Sequence, residues 1–268
     1  FAHRERAGVR GKVMRGHNDV KIRFASAAPA AGNPGLRGGS RVGYARAMVT
    51  LPPNLLDAPE LAVYEEQIRA RLEQEHQRRE RFREELSPES KAEFINGEVF
   101  VHSPATLKHN LVRDLLHRLL SAYVDFHHLG LVLGEKALIA LTRNDYEPDI
   151  NFFGPETAAR LTPDQVVLPA PDFIVEVLSS GTERNDRGVK FRDYAAHGVR
   201  EYWLVDPMAE VVEQYEDVEG QYHLLLKLNT GSLASRVVAG FEIPVRSIFD
   251  PAENLEALKR LLAEPAGG

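Results

Sequence analysis

The period of the hydrophobic pattern changes several times along the chain. Leu61, Tyr64, Ile68 and Leu72 recur at helical spacing inside a charged stretch, predicting a helix over roughly residues 60–86 whose apolar stripe then fades. Its charges read as a solvated face with i, i+4 pairs; a partner-binding helix is the alternative. Asn96-Gly97, between short alternating runs, predicts a two-residue hairpin turn. Leu111, Leu115, Leu119 and Tyr123, flanked by Val112, Leu116, Leu120 and Val124, predict an amphipathic helix over about 105–128, closed by Gly130.

Strands are expected at 131–135, 137–141 and 149–153, then at the run PDFIVEVLSS over 171–180. A helix over 187–197, stopped by Gly198, leads to the apolar strand REYWLVDP, ended by Pro207. EVVEQYE and QYHLLLKL, around an acidic Gly-containing turn, read as a second hairpin. A short helical pattern occupies 251–263. The expected fold is α/β, a mixed sheet flanked by helices, with a helical extension over 48–86 and the domain proper over 87–268.

Composition changes this picture in two places. There is no cysteine, which excludes disulfides, zinc–thiolate sites and cysteine nucleophiles, and is compatible with a reducing cytoplasm, the expected location. Charge is uneven. Residues 1–47 carry ten basic and two acidic side chains (+8), against 23 and 37 in the remainder (−14). A body that acidic is a poor general binder of polyanions. The first 47 residues, rich in Gly, Ala and Arg and without periodicity, read as a disordered or non-native segment, with Met48 as the start. A basic arm for nucleic acid is the alternative.

Candidate chemistry begins with Glu176, a carboxylate in the apolar strand Phe173-Ile174-Val175-Glu176-Val177-Leu178. An ionised acid there is costly unless it is paired or coordinated. Asp149 starts a second apolar strand, also after a proline; if the two strands pair, both acids can point to one site. Two carboxylates meeting in a semi-buried pocket need a cation or a proton between them, and hard oxygen ligands suit Mg²⁺ or Mn²⁺. Lys190 lies on the helix after Glu176's strand, and Glu98 lies on the hairpin, on one face with Phe100 and His102. Two acids and a lysine on adjacent elements suggest metal-assisted phosphodiester hydrolysis.

In this order the motifs FINGEVF, SPATLKHN, EPDI and PDFIVEVLSSGTERNDRGVKFRDYAAHGVREYWLVDP resemble the bacterial restriction endonuclease family called Uma-two, a branch of the PD-(D/E)xK nuclease superfamily. The resemblance covers about 87–215 and is most specific over 171–207. It implies a restriction-endonuclease-like core, with Asp149 as the PD-motif metal ligand and Glu176 as the second. Val177, whose only oxygen is its backbone carbonyl, completes the expected ligand set. Glu98 would be the acid near the start of the core, positioning metal or water. His109 matches a position often occupied by His in the family and is a candidate phosphate or water contact.

The sequence departs from the superfamily pattern at one place: Leu178 stands where the lysine of D/E-x-K is expected, and Lys190 is the replacement from the next helix. The resulting expectation is an Mg- or Mn-dependent endonuclease acting on DNA, with a homodimer as the simplest way to cut both strands. The alternatives are a catalytically silent binding or assembly module, and a hydrolase of smaller phosphoesters.

Each residue also has a plainer reading. Glu176 can be a structural acid paired with Lys190 or Arg192, Asp149 a turn end, Lys190 a solvated helix lysine and Glu98 a wet hairpin acid. Asp172 reads as a strand-entry residue and His127-His128 as a helix C-terminal cap. Ser179-Ser180 lack a nucleophile elbow. Tyr202-Trp203 read as packing, with base stacking as the alternative.

Overall fold

The computed structural model describes residues 52–87 and 90–263. The expected segment 1–47 and Met48 lie outside the described residues. A short helix α1 (Pro53–Leu56) precedes α2 (Leu61–Glu84). The hairpin β1 (Ala92–Ile95) and β2 (Glu98–Val101) turns at Asn96-Gly97, both with positive φ. Gly supplies such a conformation without steric cost, and Asn tolerates it.

Next comes α3 (Leu107–His127), whose N-cap Thr106 accepts the His109 backbone N–H. His128 caps its other end in the left-handed conformation. Gly130 follows with φ of 142°, where a Cβ would stand 2.1 Å from the carbonyl oxygen of Phe153. Only glycine allows that approach of α3's exit to the sheet.

The chain continues through β3 (Leu131–Leu133), β4 (Leu138–Ala140), β5 (Asp145–Tyr146), β6 (Ile150–Phe153), α4 (Pro155–Ala158), β7 (Val167–Leu168) and β8 (Phe173–Val177). The crossover after β8 is α5 (Glu183–Asn185), a π-helical turn over Asp186–Lys190, and α6 (Phe191–Ala196), stopped at Gly198. β9 (Glu201–Asp206), the hairpin β10 (Val211–Val218) and β11 (Gln221–Leu228), β12 (Ser232–Ala234), β13 (Glu242–Pro244) and α7 (Pro251–Ala263) complete it.

Two sheets organise most of these elements, and β12 and β13 form a separate two-stranded sheet. The larger has the order β11-β10-β9-β8-β6-β3, with β8 and β9 parallel and the other pairs antiparallel. The smaller has the order β2-β1-β5-β4-β7. This is the expected mixed α/β architecture.

Alternation along β8 divides its side chains between two cores. Phe173, Val175 and Val177 pack with Val112, Leu116, Leu119, Leu120 and Tyr123 of α3 and with Ala257 and Leu261 of α7. Ile174 and Leu178 pack on the other side with Tyr146, Tyr194, Tyr202 and Leu204. Each fully buried leucine stabilises by ~1.5–3 kcal/mol. Glu176 belongs to this second face, beneath α6.

The stripe expected on α2 is exposed at Leu61, Tyr64, Ile68 and Leu72. The same helix becomes buried further on, at Glu75, Arg79 and Phe82. Two of those three contacts are ionic, so hydrophobic periodicity fades where burial begins. Arg79 reaches Asp145 with Nε at 2.9 Å and Nη2 at 2.5 Å, and also donates to the carbonyls of Leu141, Thr142 and Asn144. Arg83 adds a second fork on Asp145, at 2.9 and 2.8 Å.

Candidate active site

β6 and β8 pair antiparallel, with Ile150 opposite Val175, so the register continued by one residue sets Asp149 opposite Glu176. Both are buried, at 2% exposure. Asp149 Oδ2 accepts the backbone N–H of Val177 at 2.8 Å, which fixes the carboxylate against the strand that carries Glu176. Asp149 Oδ1 accepts from Lys91 Nζ at 2.8 Å, and His109 Nε2 stands 3.7 Å from Oδ2.

Lys190 ends the π-helical turn. That turn inserts an extra residue into the crossover helix, a feature frequent at functional sites because it re-aims side chains. Asp186 and Lys190, at its two ends, are both buried. Lys190 Nζ lies 2.8 Å from Glu93 Oε1, 3.0 Å from Glu176 Oε1 and 3.0 Å from Asp186 Oδ1. The Asp186 contact is an ion pair by distance without hydrogen-bond geometry. Tyr194 on α6 donates its hydroxyl to Glu176 Oε1 at 3.0 Å. Glu93 also touches His102 Nε2 at 3.0 Å and accepts the backbone N–H of Glu147.

Asp149, Glu176 and Lys190 are thus gathered into one buried patch, Asp149 across the strand pair from Glu176 and Lys190 paired with Glu176. Glu98 is elsewhere. It is exposed on β2, opposite Ile95, and the carboxylate that reaches Lys190 is Glu93 on β1. β1 lies between β2 and β5, whereas β2 is the edge, so Glu98 sits one strand further out and beside the turn. His109 borders the patch through Asp149. Val177 contributes its backbone N–H to it.

Sequence reasoning missed Glu93, Lys91, Asp186 and Glu135. A signal existed for three of them. Lys91, just before β1, is two residues from Glu93 in the same run of chain, and Asp186 is four before Lys190 on a helical segment.

The electrostatics are those of a site with too few positive charges. Burial opposes ionisation of Glu93, but Lys190 and His102 outweigh it and hold the carboxyl at about 2. Burial likewise opposes ionisation of Asp149, and His109 and Lys91 bring it below the usual carboxylate range. Glu176 is different. Burial, with Asp186, Asp149 and Glu93 as like-charged neighbours, outweighs Lys190 and pushes it up to about 8. Asp186 is raised as well, chiefly by burial. Lys190 is kept protonated by the three acids despite its own burial.

This donor set fits a hard divalent cation. Ligand atoms of His109, Glu135 and Asp149 lie within 4.8 Å of one another. Carboxylate oxygens with one imidazole suit Mg²⁺ or Mn²⁺ rather than a thiophilic ion. His109 Nδ1 is buried without a hydrogen-bond partner among the described residues. A cavity of about 220 Å³, lined by Arg113, Asp114, His117, Gly134, Glu135 and Asp149, opens beside Asp149.

Residues 79–246, more than half of the chain, match the family model described as "Uma2: Putative restriction endonuclease". The chain belongs to the Uma2 family. The Uma2 match begins inside α2, at the arginine that binds Asp145. A curated relative from Synechocystis sp., called "Uncharacterized protein sll1609", is 31% identical over 149 residues, covering 54% of this chain and 82% of its own.

Among solved structures, a crystal structure described as a "putative nuclease" from Anabaena variabilis is similar, with a TM-score of 0.56 and 16% identity. The match covers 65% of this chain and 96% of that one. The Uma2 chain therefore has a nuclease-like fold. No helix among the described residues is long and apolar enough to cross a membrane.

Proposed function

We propose that this protein is a divalent-metal-dependent endonuclease that hydrolyses phosphodiester bonds in DNA. The observation that carries the reading is the cross-strand meeting of Asp149 and Glu176, with the Lys190 ammonium 3.0 Å from Glu176. Asp149 and Glu176, with the Val177 carbonyl, would hold Mg²⁺ or Mn²⁺, and His109 and Glu135 supply further donors at the cavity side. The bound ion would polarise the phosphate and acidify a water.

The chain's own groups supply the rest. Lys190 offsets negative charge that develops on the phosphoryl oxygens, and Glu93 and Asp186 hold it against Glu176. Tyr194 orients the Glu176 carboxylate, and the Val177 N–H orients that of Asp149. Arg113, paired with Asp114 and Glu135, and His117 line the cavity and would meet an incoming phosphate there. His109 would meet a phosphate oxygen or a water beside Asp149. Glu98, exposed on the edge strand β2, would act at the rim of the site. A homodimer would present two such sites to the two strands.

Incubation of the protein with supercoiled plasmid and with single-stranded DNA, at a series of Mg²⁺ and Mn²⁺ concentrations, tests this reading. Metal-dependent cleavage that is lost in Glu176→Gln and Asp149→Asn is expected. Absence of turnover with either ion, or undiminished turnover in Glu176→Gln, would remove the assignment.

One observation favours a second reading, a silent binding or assembly module. Lys190 is only 1% exposed and matched by three acids, a network that can serve the fold alone. A carboxylate-dependent Mn²⁺ binding isotherm counts against that reading.

A further inference from the structure

Lys91 has no part in the scheme above, yet its ammonium sits in the middle of it. It lies 2.8 Å from Asp149 Oδ1 and 3.9 Å from Glu135 Oε1. Those two carboxylates and His109 are the group whose ligand atoms converge within 4.8 Å. Lys91 immediately precedes β1, two residues before Glu93, and its ammonium binds Asp149 while that of Lys190 binds Glu93.

The two lysines differ in freedom. The Lys190 side chain is 2% exposed and held by three acids, whereas that of Lys91 is 20% exposed and opens toward solvent. A lysine on a long flexible stem can withdraw its charge from one anchor without moving the backbone. A divalent ion bound to Asp149 would lie about 2.0–2.6 Å from a carboxylate oxygen. An ammonium hydrogen-bonded to the same carboxylate opposes that ion by like charge and by volume.

We propose that Lys91 is a tethered cation in the metal seat of Asp149, which a divalent ion must displace, so that Lys91 sets the concentration at which the site fills. This rests on the reading of Asp149 as a metal ligand. In the metal-free protein Lys91 supplies a counter-charge to the buried Asp149 carboxylate, beside the Val177 N–H and His109. When the ion enters, the ammonium leaves Asp149 and withdraws toward solvent, and the site exchanges one counter-charge for another.

Calorimetric titration of Mn²⁺ into the full chain tests the proposal, with wild type, Lys91→Met, Lys91→Arg and Asp149→Asn compared. Lys91→Met is expected to bind Mn²⁺ roughly tenfold more tightly, equivalent to about 1.4 kcal/mol. Lys91→Arg, which keeps the charge, should stay near wild type. Melting curves with and without Mn²⁺ supply a second readout: the ion should raise the melting temperature of Lys91→Met more than that of wild type, because tighter binding to the folded state stabilises it more. Should the Met variant fail to fold, Lys91→Gln takes its place.

Equal or weaker Mn²⁺ binding by Lys91→Met, with binding abolished in Asp149→Asn, would overturn the role of Lys91 and leave the metal reading intact. Undiminished binding in Asp149→Asn, or no binding by any form, would remove the metal reading of Asp149 and this inference with it.

Discussion

Lys190, on a helix that crosses over β8, places its ammonium 2.8 Å from Glu93 on the smaller sheet, so one buried ion pair ties the crossover to a strand of the other sheet. Glu176 and Asp186 share the same ammonium. The charge is therefore both a candidate catalytic group and a clamp.

Replacing Lys190 by Met leaves three buried carboxyl groups without their common counter-charge. Removing one partner of a buried network costs about 3–5 kcal/mol. Urea denaturation at neutral pH should show a loss of that size, with Lys190→Arg recovering part of it. A loss below ~1 kcal/mol would mean that the acids are neutral or solvated in the folded state.

Glu93 and Glu98 separate cleanly by substitution. Glu98→Ala on the exposed edge strand should change stability by no more than about 0.5 kcal/mol. Glu93→Gln loses charge-assisted contacts to Lys190 and His102 and should cost about 1.5–3 kcal/mol. In DNA cleavage, Glu93→Gln should be impaired and Glu98→Ala close to wild type. The reverse order in either measurement would return Glu98 to the site.

Asp145 is fully buried and receives forks from both Arg79 and Arg83. Asp145→Ala strands the Arg79 guanidinium and should cost about 3–5 kcal/mol. The helix should also loosen from the sheet, so limited proteolysis is expected to cut within α2 in the variant before it does in wild type. Identical cleavage patterns would show that α2 does not depend on Asp145 for its hold on the sheet.

His197 gives a pH signature. Its burial works against the imidazolium, but the Asp193 carboxylate at 3.1 Å and backbone carbonyl at 2.7 Å raise its pKa above the ordinary value. A pKa raised by folding means that the stabilisation is complete below the unfolded value near 6.5 and disappears as pH rises through the folded value. Melting temperatures of wild type and His197→Gln, followed from pH 5.5 to 9, should therefore converge as pH increases. Parallel curves would exclude the ion pair as a source of stability.

Much of the fold is written in local pattern. The Asn96-Gly97 turn, the apolar face of α3, the stop at Gly198 and the limits of α7 at Pro251 and Ala263 all follow from periodicity, backbone sterics and capping. The candidate ligand Glu176 was visible for the same reason: a charge inside an apolar strand breaks the pattern. The sequence alone also marked Asp149 and Lys190, because a proline precedes one and the other follows on the next helix.

What the tertiary structure decided is lateral position. Strand periodicity states which face a side chain takes but not how many strands away its partner lies, so Glu93 and Glu98 look equivalent until β1 is found inside the sheet and β2 at its edge. The same holds for Lys91 beside Asp149 and for Arg79 beneath Asp145. These ion pairs join residues far apart in the chain. Coulomb attraction depends on distance in space and leaves no period in the sequence, whereas hydrophobic burial repeats with every turn of a helix or step of a strand.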